Sequence, residues 1–274
     1  MPAQEPPLVS IVTPSLNQGR YLGETIASVA AQDYPRVEHI VVDGGSTDET
    51  RDVLRGHADV RWVSERDSGQ SDAVNKGFRM AQGAVFGWLN ADDLYLPGAI
   101  SAAVARLQET GAGLVYGGWR QIDEDGTTLK EVAPKPFDLH QQLEVANRVA
   151  QPAAFFTREA FEAVGGLDET YNYAMDYELW LKLGERFPVA HVEQTLAAFR
   201  FHGESKTVAD SHAFAAETWR AARAHGARRR SPLYVDFYLP RERPRLYRLV
   251  LAGRLLRRGD LRGLLAGVKR RVTG

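Results

Sequence analysis

Short apolar runs alternate with segments of helical periodicity through the first hundred residues of the chain. Apolar side chains recur at helical spacing over 19–32 and again over 69–83, where Gly83 is expected to close the helix. A further helix is predicted after the second apolar run, capped by Ser46 or Thr47. This order is typical of a parallel sheet with helices on both faces. The predicted strands are 8–14, 37–43, 60–65 and 84–90.

Polar side chains follow these strands where each one ends. Because parallel strands end at one edge of a sheet, and ligands of such sheets bind there, acids and amides are expected to gather at that edge. The sequence therefore predicts a polar ligand site formed by several strand ends. The residues concerned are Asp43, Glu65, Asp67 and 90–93.

The second half of the chain is less regular. It begins with a predicted hairpin over 114–130, whose turn lies at Asp125-Gly126. Three further units are then expected: a strand leading into a short helix, a longer helix, and a pair of short strands. They occupy 151–169, 175–187 and 189–202.

Composition excludes several kinds of site. The apolar fraction is 44% and the charged fraction 25%, as in ordinary globular proteins. The chain has no cysteine, which excludes catalytic thiols, disulfides and zinc–thiolate centres. Residues 1–7 lack the pattern of a signal peptide, and no stretch reaches the roughly 18 apolar residues of a membrane span, so we predict a cytoplasmic protein.

Positive charge is concentrated at the end of the chain. Residues 218–274 hold 16 Lys and Arg against 3 Asp and Glu, a net of +13, whereas the rest of the chain has a net of −14. Apolar residues share a helical face over 261–272, and the preceding 245–258 is apolar on all sides. These helices either cover the core or bind an anionic membrane surface, attaching the protein peripherally to its inner face; no nucleic acid partner is expected.

Seven segments, in this order, resemble the family 2 glycosyltransferases, which are inverting enzymes. Together they cover most of residues 8–206, and the basic tail lies outside the resemblance. One such segment is weak evidence, whereas seven in order are specific. They are 10–35, 40–50, 64–77, 88–100, 151–169, 175–183 and 199–206.

The resemblance implies an α/β protein of the A-type glycosyltransferase fold, a Rossmann-like, mostly parallel sheet flanked by helices. Residues 1–210 would form the transferase domain, with a half that binds the nucleotide sugar (8–100) and a half that binds the acceptor (101–210). Residues 211–274 would be a basic helical extension. The implied reaction moves a sugar from a nucleotide diphosphate sugar, UDP-linked by resemblance, to an acceptor hydroxyl in polysaccharide, glycolipid or lipid-linked glycan synthesis.

By resemblance, the donor nucleotide is bound by residues that follow the first four strands. Asp43 would accept a hydrogen bond from the base or ribose, and its alternative role is that of an acid at a helix N-terminus. Lys76 would contact phosphate or ribose, or else pair with Asp72 on the surface. The full set is Thr13, Pro14, Asn17, Asp43, Asp67, Gln70, Asp72, Asn75, Lys76, Asn90, Ala91 and Asp92.

The segment 90–93 corresponds to the family's Asp-x-Asp motif, which implies a divalent metal, Mn²⁺ or Mg²⁺. Asp92 is predicted as the principal ligand, supported by Asp93 and by His202. Asn90 stands where the family has its first aspartate, which removes one charge. Lys206 is predicted to neutralise phosphate.

Asp176 resembles the family's catalytic base, although Met175 stands where an acidic neighbour is usual. A carboxylate there would take the proton of the acceptor hydroxyl, with Glu178 as the fallback. The alternative for Asp176 is a helix N-cap. Gln151 and Trp180 are predicted to border the acceptor, and Trp180 would otherwise belong to the core.

Two other functions are compatible with parts of the sequence. A sugar nucleotidyltransferase also binds nucleotides on a parallel sheet, but it would require a glycine-rich loop after the first strand, where this chain has the single Gly19. A catalytically degenerate nucleotide-sugar-binding protein would explain Asn90 and Met175.

Overall fold

The computed structural model describes residues 5–203 and 210–257. Within them the strands are β1 (Val9–Ser15), β2 (Val37–Asp43), β3 (Arg61–Ser64), β4 (Val85–Trp88), β5 (Leu94–Tyr95), β6 (Leu114–Ile122), β7 (Thr128–Val132), β8 (Ala154–Thr157) and β9 (Val189–Arg200). They form one mixed sheet in the order β3-β2-β1-β4-β8-β6-β9-β5, and β7 pairs with β6.

Helices flank this sheet and follow it along the chain. A 3-10 turn at Gln151–Ala153 precedes β8, and a π-helical segment at Leu233–Tyr238 lies near the C-terminus. The α-helices are α1 (Gly19–Ala30), α2 (Thr50–Arg55), α3 (Gln70–Met80), α4 (Ala99–Thr110), α5 (Leu139–Glu144), α6 (Arg158–Ala163), α7 (Met175–Arg186), α8 (Ser211–Ala224), α9 (Leu239–Glu242) and α10 (Pro244–Arg257).

The first half of the sheet is parallel, as predicted. β1 lies between β2 and β4 and runs parallel to both, and β3 extends this order beyond β2. All seven residues of β1 are buried because helices cover both faces. Asp43 pairs with Ser15 on one side and with Ser64 on the other. The carboxyl ends of β1 to β4 therefore meet at one edge of the sheet, here called the carboxyl edge.

The second half of the sheet reverses direction. β8 is antiparallel to β4 and to β6, whereas β9 runs parallel to β6. β9 is one strand of twelve residues, so the prediction of two short strands is wrong. It stays continuous because its pairing with β6 absorbs two register shifts near Gly118. The hairpin of β6 and β7 turns at Gly126 (φ +85°), as predicted.

The apolar core lies on both faces of the sheet. On the face covered by α3 and α7, Phe78, Phe86, Phe156 and Trp180 are buried against one another. Gly77 lets α3 approach β1 closely, since a Cβ atom there would lie 2.4 Å from Val12 Cγ1. Burying each large side chain stabilises the fold by about 1.5–3 kcal/mol. This packing fixes the N-terminus of α3 at the carboxyl edge.

Two predicted helix ends are wrong. Neither Ser46 nor Thr47 caps α2, which begins at Thr50; Asp48 instead accepts hydrogen bonds from the N–H groups of Thr50 (3.1 Å) and Gly19 (2.9 Å). The helix expected to end at Gly83 ends at Met80. Gly83 is needed for a close approach, because a Cβ atom there would lie 2.5 Å from Ser10 Oγ.

The C-terminal helices differ in how they pack. α8 packs on α7, and the Glu217 carboxylate accepts the backbone N–H groups of Tyr173 (2.7 Å) and Ala174 (3.1 Å) before α7 begins. α10 instead leaves Leu246 and Leu249 42% and 69% exposed. The apolar helix face predicted over 261–272 lies outside the described residues. No helix among the described residues is long and apolar enough to cross a membrane.

Candidate active site

Asp43 lies at the centre of the carboxyl edge and is fully buried. Its carboxylate accepts hydrogen bonds from Ser64 Oγ (2.5 Å) and from the N–H and hydroxyl of Ser46. These three donors, of which the Ser46 N–H is shared between the two carboxylate oxygens (3.2 Å to each), take up most of the acceptor positions that a carboxylate has. A ligand N–H could reach Asp43 only after one of the two hydroxyls turned away. The predicted alternative, an acid at a helix N-terminus, does not apply because α2 begins seven residues later.

Loops after β1 and β2 are joined by Asn17, which adopts a left-handed conformation (φ +53°). Its N–H donates to Ser46 Oγ (2.7 Å), and its amide oxygen accepts the N–H of Thr47 (2.9 Å). Asn17 itself is exposed at the edge, as its predicted site role requires. Pro14 lies just before it, buried in β1.

An apolar surface beside this loop was missed by the sequence reasoning. Leu16 is 56% exposed although it follows a fully buried strand. A Cβ atom on Gly44 would lie 3.4 Å from Leu16 Cδ1 and 2.6 Å from an oxygen of Asp67. Because Gly44 has no side chain, the surface between the Leu16 side chain and the Asp67 carboxylate stays open. This surface is here called the shelf beside Gly44. The sequence signal for this apolar surface was a leucine within an otherwise polar loop at the end of a strand.

Thr13 does not fit its predicted contact with a nucleotide. The side chain is fully buried, and its hydroxyl is bonded to His39 Nε2 at 2.9 Å beneath the edge. Burial lowers the pKa of His39 to about 4, so this ring is neutral and serves the sheet interior. Thr13 lies within β1, where helices cover both faces of the sheet, so its side chain is in the interior whichever face it points to.

A chain of hydrogen-bonded amides crosses the carboxyl edge and includes the first residue of the predicted metal motif. The amide oxygen of Asn90 accepts hydrogen bonds from Gln70 Nε2 (2.8 Å) and Trp88 Nε1 (2.9 Å). Its amide nitrogen donates to Gln151 Oε1 (2.8 Å), and Gln151 donates in turn to the Trp88 carbonyl. Gln70 and Asn90, which were predicted to bind the donor, are thus joined to Gln151, which was predicted on the acceptor side. The amide at position 90 is bonded on both sides, which an aspartate could not reproduce because it has no donor.

Asp92 and His202 come together although 110 residues separate them. Asp92 Oδ2 lies 2.9 Å from His202 Nε2, and their side chains are 18% and 5% exposed. The backbone of Ala91 before them is fixed by Thr25, whose hydroxyl donates to the Ala91 carbonyl (2.8 Å). One carboxylate oxygen and one imidazole nitrogen thus face each other at the edge.

Asp93 differs from Asp92 in being fully buried. Its carboxylate accepts the backbone N–H of Arg200 (2.9 Å) and the amide of Asn90 (3.3 Å). Burial first, and the Asp92 charge second, raise the pKa of Asp93 well above its ordinary value. A buried acid bonded in this way does not fit the predicted second metal ligand, and it instead attaches the end of β9 to the strand-end loop.

Arg200 is a site residue that the sequence reasoning missed. It is 1% exposed, and its Nε donates to the Asp92 carbonyl (2.9 Å) while Nη2 bonds to Glu24 (2.6 Å). Its guanidinium lies 4.8 Å from the Tyr21 ring, and that ring is 5.1 Å from the His202 ring. Arg200 and Tyr21 thus hold Asp92 and His202 in place. A buried arginine cannot be told from an exposed one by spacing alone.

Asp176 lies in the first turn of α7, next to Asn147. Asn147 Nδ2 is 3.4 Å from Asp176 Oδ2. Burial raises the pKa of Asp176 to about 6, and the N–H groups of Tyr177 and Asp176 and the Asn147 amide oppose that rise. Asp176 is not the N-cap, which is Ala174. Asn147 was missed because it lies in an irregular loop that has no periodicity.

Two residues predicted beside the acceptor point elsewhere. Glu178 is 6% exposed and pairs with Lys182 (3.0 Å) on the side of α7 that faces α8. Trp180 is fully buried and packs edge-on against Phe156, so its alternative assignment to the core is the one the structure supports. Helical periodicity turns Glu178 away from Asp176, whereas Trp180 lies one turn further along the helix on the face of Asp176, where that face enters the core.

The polar side chains of α3 do not all point to the carboxyl edge, because several of them bond to other parts of the protein. Asn75 is bonded to the Leu167 carbonyl and N–H (both 3.0 Å), which does not fit a contact with nucleotide. Lys76 pairs with Glu65 (2.7 Å) at the end of β3, and this hydrogen bond raises its pKa. The proposed Asp72–Lys76 pair is not formed; Asp72 accepts the N–H of Ser68 (3.0 Å). Lys206 lies outside the described residues.

The side-chain donors at the edge fit one divalent cation whose remaining ligands come from a substrate. Asp92 and His202 supply an oxygen and a nitrogen, as Mn²⁺ accepts, and a polyphosphate supplies further oxygens. Within the described residues no group of three or more His, Asp or Glu side chains forms a closed metal cage.

Comparison with known proteins identifies relatives of this chain. The family model described as Glycosyl transferase family 2 matches residues 10–165. An uncharacterized glycosyltransferase of Rickettsia felis is 31% identical over 209 residues, which are 72% of this chain but 35% of that protein. The chain thus spans about a third of the length of this relative.

Two solved structures share the fold. A mannosyltransferase of Pyrobaculum calidifontis in complex with GDP-Man and Mn²⁺ has a TM-score of 0.67 at 21% identity, covering 98% of this chain and 81% of that one. S. aureus TarS in complex with UDP-GlcNAc has a TM-score of 0.65 at 16% identity, covering 84% and 71%. At these identities the likeness shows the fold, the A-type glycosyltransferase fold that the sequence predicts.

Proposed function

This chain belongs to glycosyl transferase family 2, and we propose that it moves a sugar from a UDP-linked donor to an acceptor hydroxyl with inversion at the anomeric carbon. The observation that carries the proposal is the Asp92–His202 pair at the carboxyl edge, to which Asp176 is connected through Asn147 and the loop that leads to Gln151. The pair suits a diphosphate with its cation, and Asp176 suits an acceptor proton. The family match also argues against the nucleotidyltransferase hypothesis.

Donor binding is proposed at the shelf beside Gly44. The exposed Leu16 offers an apolar surface to a base, and Asp67 and Asn17 offer polar groups to base or ribose. Asp43 contributes by ordering Ser46 and Ser64 around it, and it reaches the base directly if one hydroxyl rotates. The bound UDP-GlcNAc and GDP-Man of the two structural neighbours support a nucleotide diphosphate sugar as the donor class.

The diphosphate is proposed to bind at Asp92 and His202 together with Mn²⁺ or Mg²⁺. When bound, such a cation neutralises the negative charge that grows on the leaving diphosphate. The protein holds Asp92 through Arg200 and holds the His202 ring through Tyr21, so both groups are oriented before the donor arrives. Asp93 stabilises this arrangement from below.

Asp176 is proposed as the general base. As the acceptor oxygen bonds to the anomeric carbon, the bond from that carbon to the diphosphate oxygen breaks and the hydroxyl proton passes to the Asp176 carboxylate. A pKa of about 6 leaves this carboxylate ionised at neutral pH and closer to the ideal for proton transfer than an ordinary aspartate. Asn147 orients it, and Glu217 holds the turn that precedes α7.

The proposed organisation keeps residues 1–210 as the transferase domain, with donor and acceptor halves at 8–100 and 101–210. The basic extension 211–274 would bring the enzyme to an anionic membrane surface, where an acceptor for polysaccharide, glycolipid or lipid-linked glycan synthesis is held. The exposed Leu246 and Leu249 beside Arg245 and Arg248 in α10 support such contact.

A thermal-shift panel of UDP, GDP, dTDP and their sugars, each with and without Mn²⁺, tests the proposal. A ligand that binds only the folded state raises the melting temperature by mass action. UDP-sugars with Mn²⁺ are expected to give the largest rise, and Asp92→Ala is expected to abolish the Mn²⁺-dependent part. Selective stabilisation by GDP or dTDP would reject uridine, and binding of a nucleotide sugar without any release of nucleoside diphosphate would favour a degenerate binding protein.

A further inference from the structure

Arg148 is unusual among the half-buried arginines of the described chain. The others each donate to a carbonyl or pair with a carboxylate, as expected because an unpaired charge taken out of water is costly. The Arg148 guanidinium, in contrast, has neither a hydrogen bond nor an ion pair with any described residue. The paired ones are Arg106, Arg120, Arg158 and Arg241.

The backbone that bears Arg148 is firmly held. Gln142 is 1% exposed, and its side chain accepts the Arg148 N–H (2.8 Å) and donates to Asn147 Oδ1 (2.8 Å). Asn147 Oδ1 also accepts the N–H of Val149 (3.2 Å). The loop is thus ordered from within by a buried amide, so Arg148 is presented from a fixed position.

Along the chain, Arg148 lies between Asn147 and Gln151, which both belong to the proposed acceptor side. Its neighbour Asn147 contacts Asp176, and three residues later Gln151 joins the amide chain at Asn90. The positive charge of Arg148 also acts on Tyr116, whose pKa is raised by burial and lowered in part by this charge. The Tyr116 hydroxyl donates to the carbonyl of Lys135, an exposed cation that has no ion-pair partner among the described residues.

We propose that Arg148 binds an anionic group of the acceptor, a carboxylate or a phosphate, and so orients the acceptor hydroxyl toward Asp176. The inference rests on the proposed function, since it names the acceptor class of that same site. A guanidinium bonds carboxylate and phosphate oxygens in a bidentate manner. The acceptor is therefore either a glycan with an acidic sugar or one carried on a lipid phosphate.

Binding of three acceptor probes to the full chain, saturated with UDP and Mn²⁺, tests this proposal by calorimetry. The probes are octyl β-D-glucuronide, octyl phosphate and neutral octyl β-D-glucoside. One anionic probe or both are expected to bind about tenfold more tightly than the glucoside, as for a charge-assisted hydrogen bond. Preference for the glucuronide indicates a carboxylate, and preference for octyl phosphate indicates a phosphate.

Arg148→Gln is expected to abolish the preference while UDP affinity stays within about twofold. Arg148→Lys should retain part of it, because the charge remains; a purely structural defect would not be rescued in this way. Arg51→Gln, an exposed arginine on α2 with no ion pair among the described residues, is the control for net charge and should behave as wild type.

Equal binding of all three probes by the wild-type protein would overturn the proposal. So would a loss of UDP affinity in Arg148→Gln as large as the loss of anion affinity, since Arg148 would then serve the donor diphosphate. A wild-type protein that prefers the anionic probes but releases no UDP from a UDP-sugar would disprove the proposed function and leave the anion site standing.

Discussion

The proposed donor and acceptor sides of the carboxyl edge are built differently. On the donor side, Asp43, Asn90 and Asp93 each have several protein partners, and few of their hydrogen-bonding positions are open. On the acceptor side, Asp176 has one side-chain contact at 3.4 Å, and Arg148 has no partner among the described residues. The difference suggests a donor site ordered in advance and an acceptor site whose charges await their ligand.

Asp176→Asn should produce the largest effect, because it removes the proposed base from the acceptor side alone. Transfer to acceptor is expected to fall by about 10²–10⁴-fold, while Mn²⁺-dependent binding of UDP stays unchanged. Initial rates of UDP release with acceptor, beside UDP binding by calorimetry, measure both quantities. Transfer at the wild-type rate would show that another group accepts the proton.

Asp92→Ala tests the donor side. It removes one of two proposed cation ligands, and loss of groups that merely orient ligands already costs about 10–100-fold in metal affinity. A loss of at least that size is expected in Mn²⁺-dependent UDP affinity. Asp125→Ala, in the exposed hairpin turn, is the matched control and should bind UDP normally. Undiminished Mn²⁺ dependence in Asp92→Ala would remove this residue from the proposed site.

The pH profile separates the two sides without a change of sequence. If Asp176 is the base, kcat/KM should fall about tenfold per pH unit below its pKa of about 6, because only the ionised carboxylate accepts a proton. The same profile in Asp176→Asn should lose this limb. A limb that persists in the variant would assign the titration to another group.

The raised pKa of Asp176 also predicts an effect on stability. The pKa of Asp176 in the folded state exceeds the ordinary value of 3.8, so the folded state favours the protonated carboxyl. The contribution of Asp176 to the free energy of unfolding is therefore present below pH 4 and is lost as the pH rises toward 6. At pH 7 Asp176→Asn should therefore unfold less readily than wild type, by at most about 3 kcal/mol. Chemical denaturation at pH 7 and at pH 4 measures the difference, which should shrink at the lower pH; a less stable variant at pH 7 would contradict the burial argument.

Asn75→Ala should give the smallest change in activity and a modest change in stability. Two hydrogen bonds join the Asn75 amide to Leu167, so their loss should lower the free energy of unfolding by about 1–3 kcal/mol. The KM for the donor should stay near that of wild type. A large rise in donor KM, with stability unchanged, would return Asn75 to the donor side.

Much of the fold could be predicted from the sequence because local patterns determine it. Apolar runs and helical spacing located β1, β2, α1 and α7 to within a residue or two, and the parallel order followed from their alternation. The single long β9 could not be predicted, since its pairing with β6 depends on register shifts between distant residues. The end of α3 at Met80 was likewise decided by packing around Gly83.

The candidate site divides in the same way. The sequence by itself determined which strand ends carry acids and amides, because side-chain chemistry and strand order are local properties. Only the tertiary structure decided that Asp92 meets His202 while the adjacent Asp93 is buried, and that Asn147 lies beside Asp176. The physical reason is that burial and partnership depend on contacts between segments far apart in the chain, which no spacing within one segment encodes.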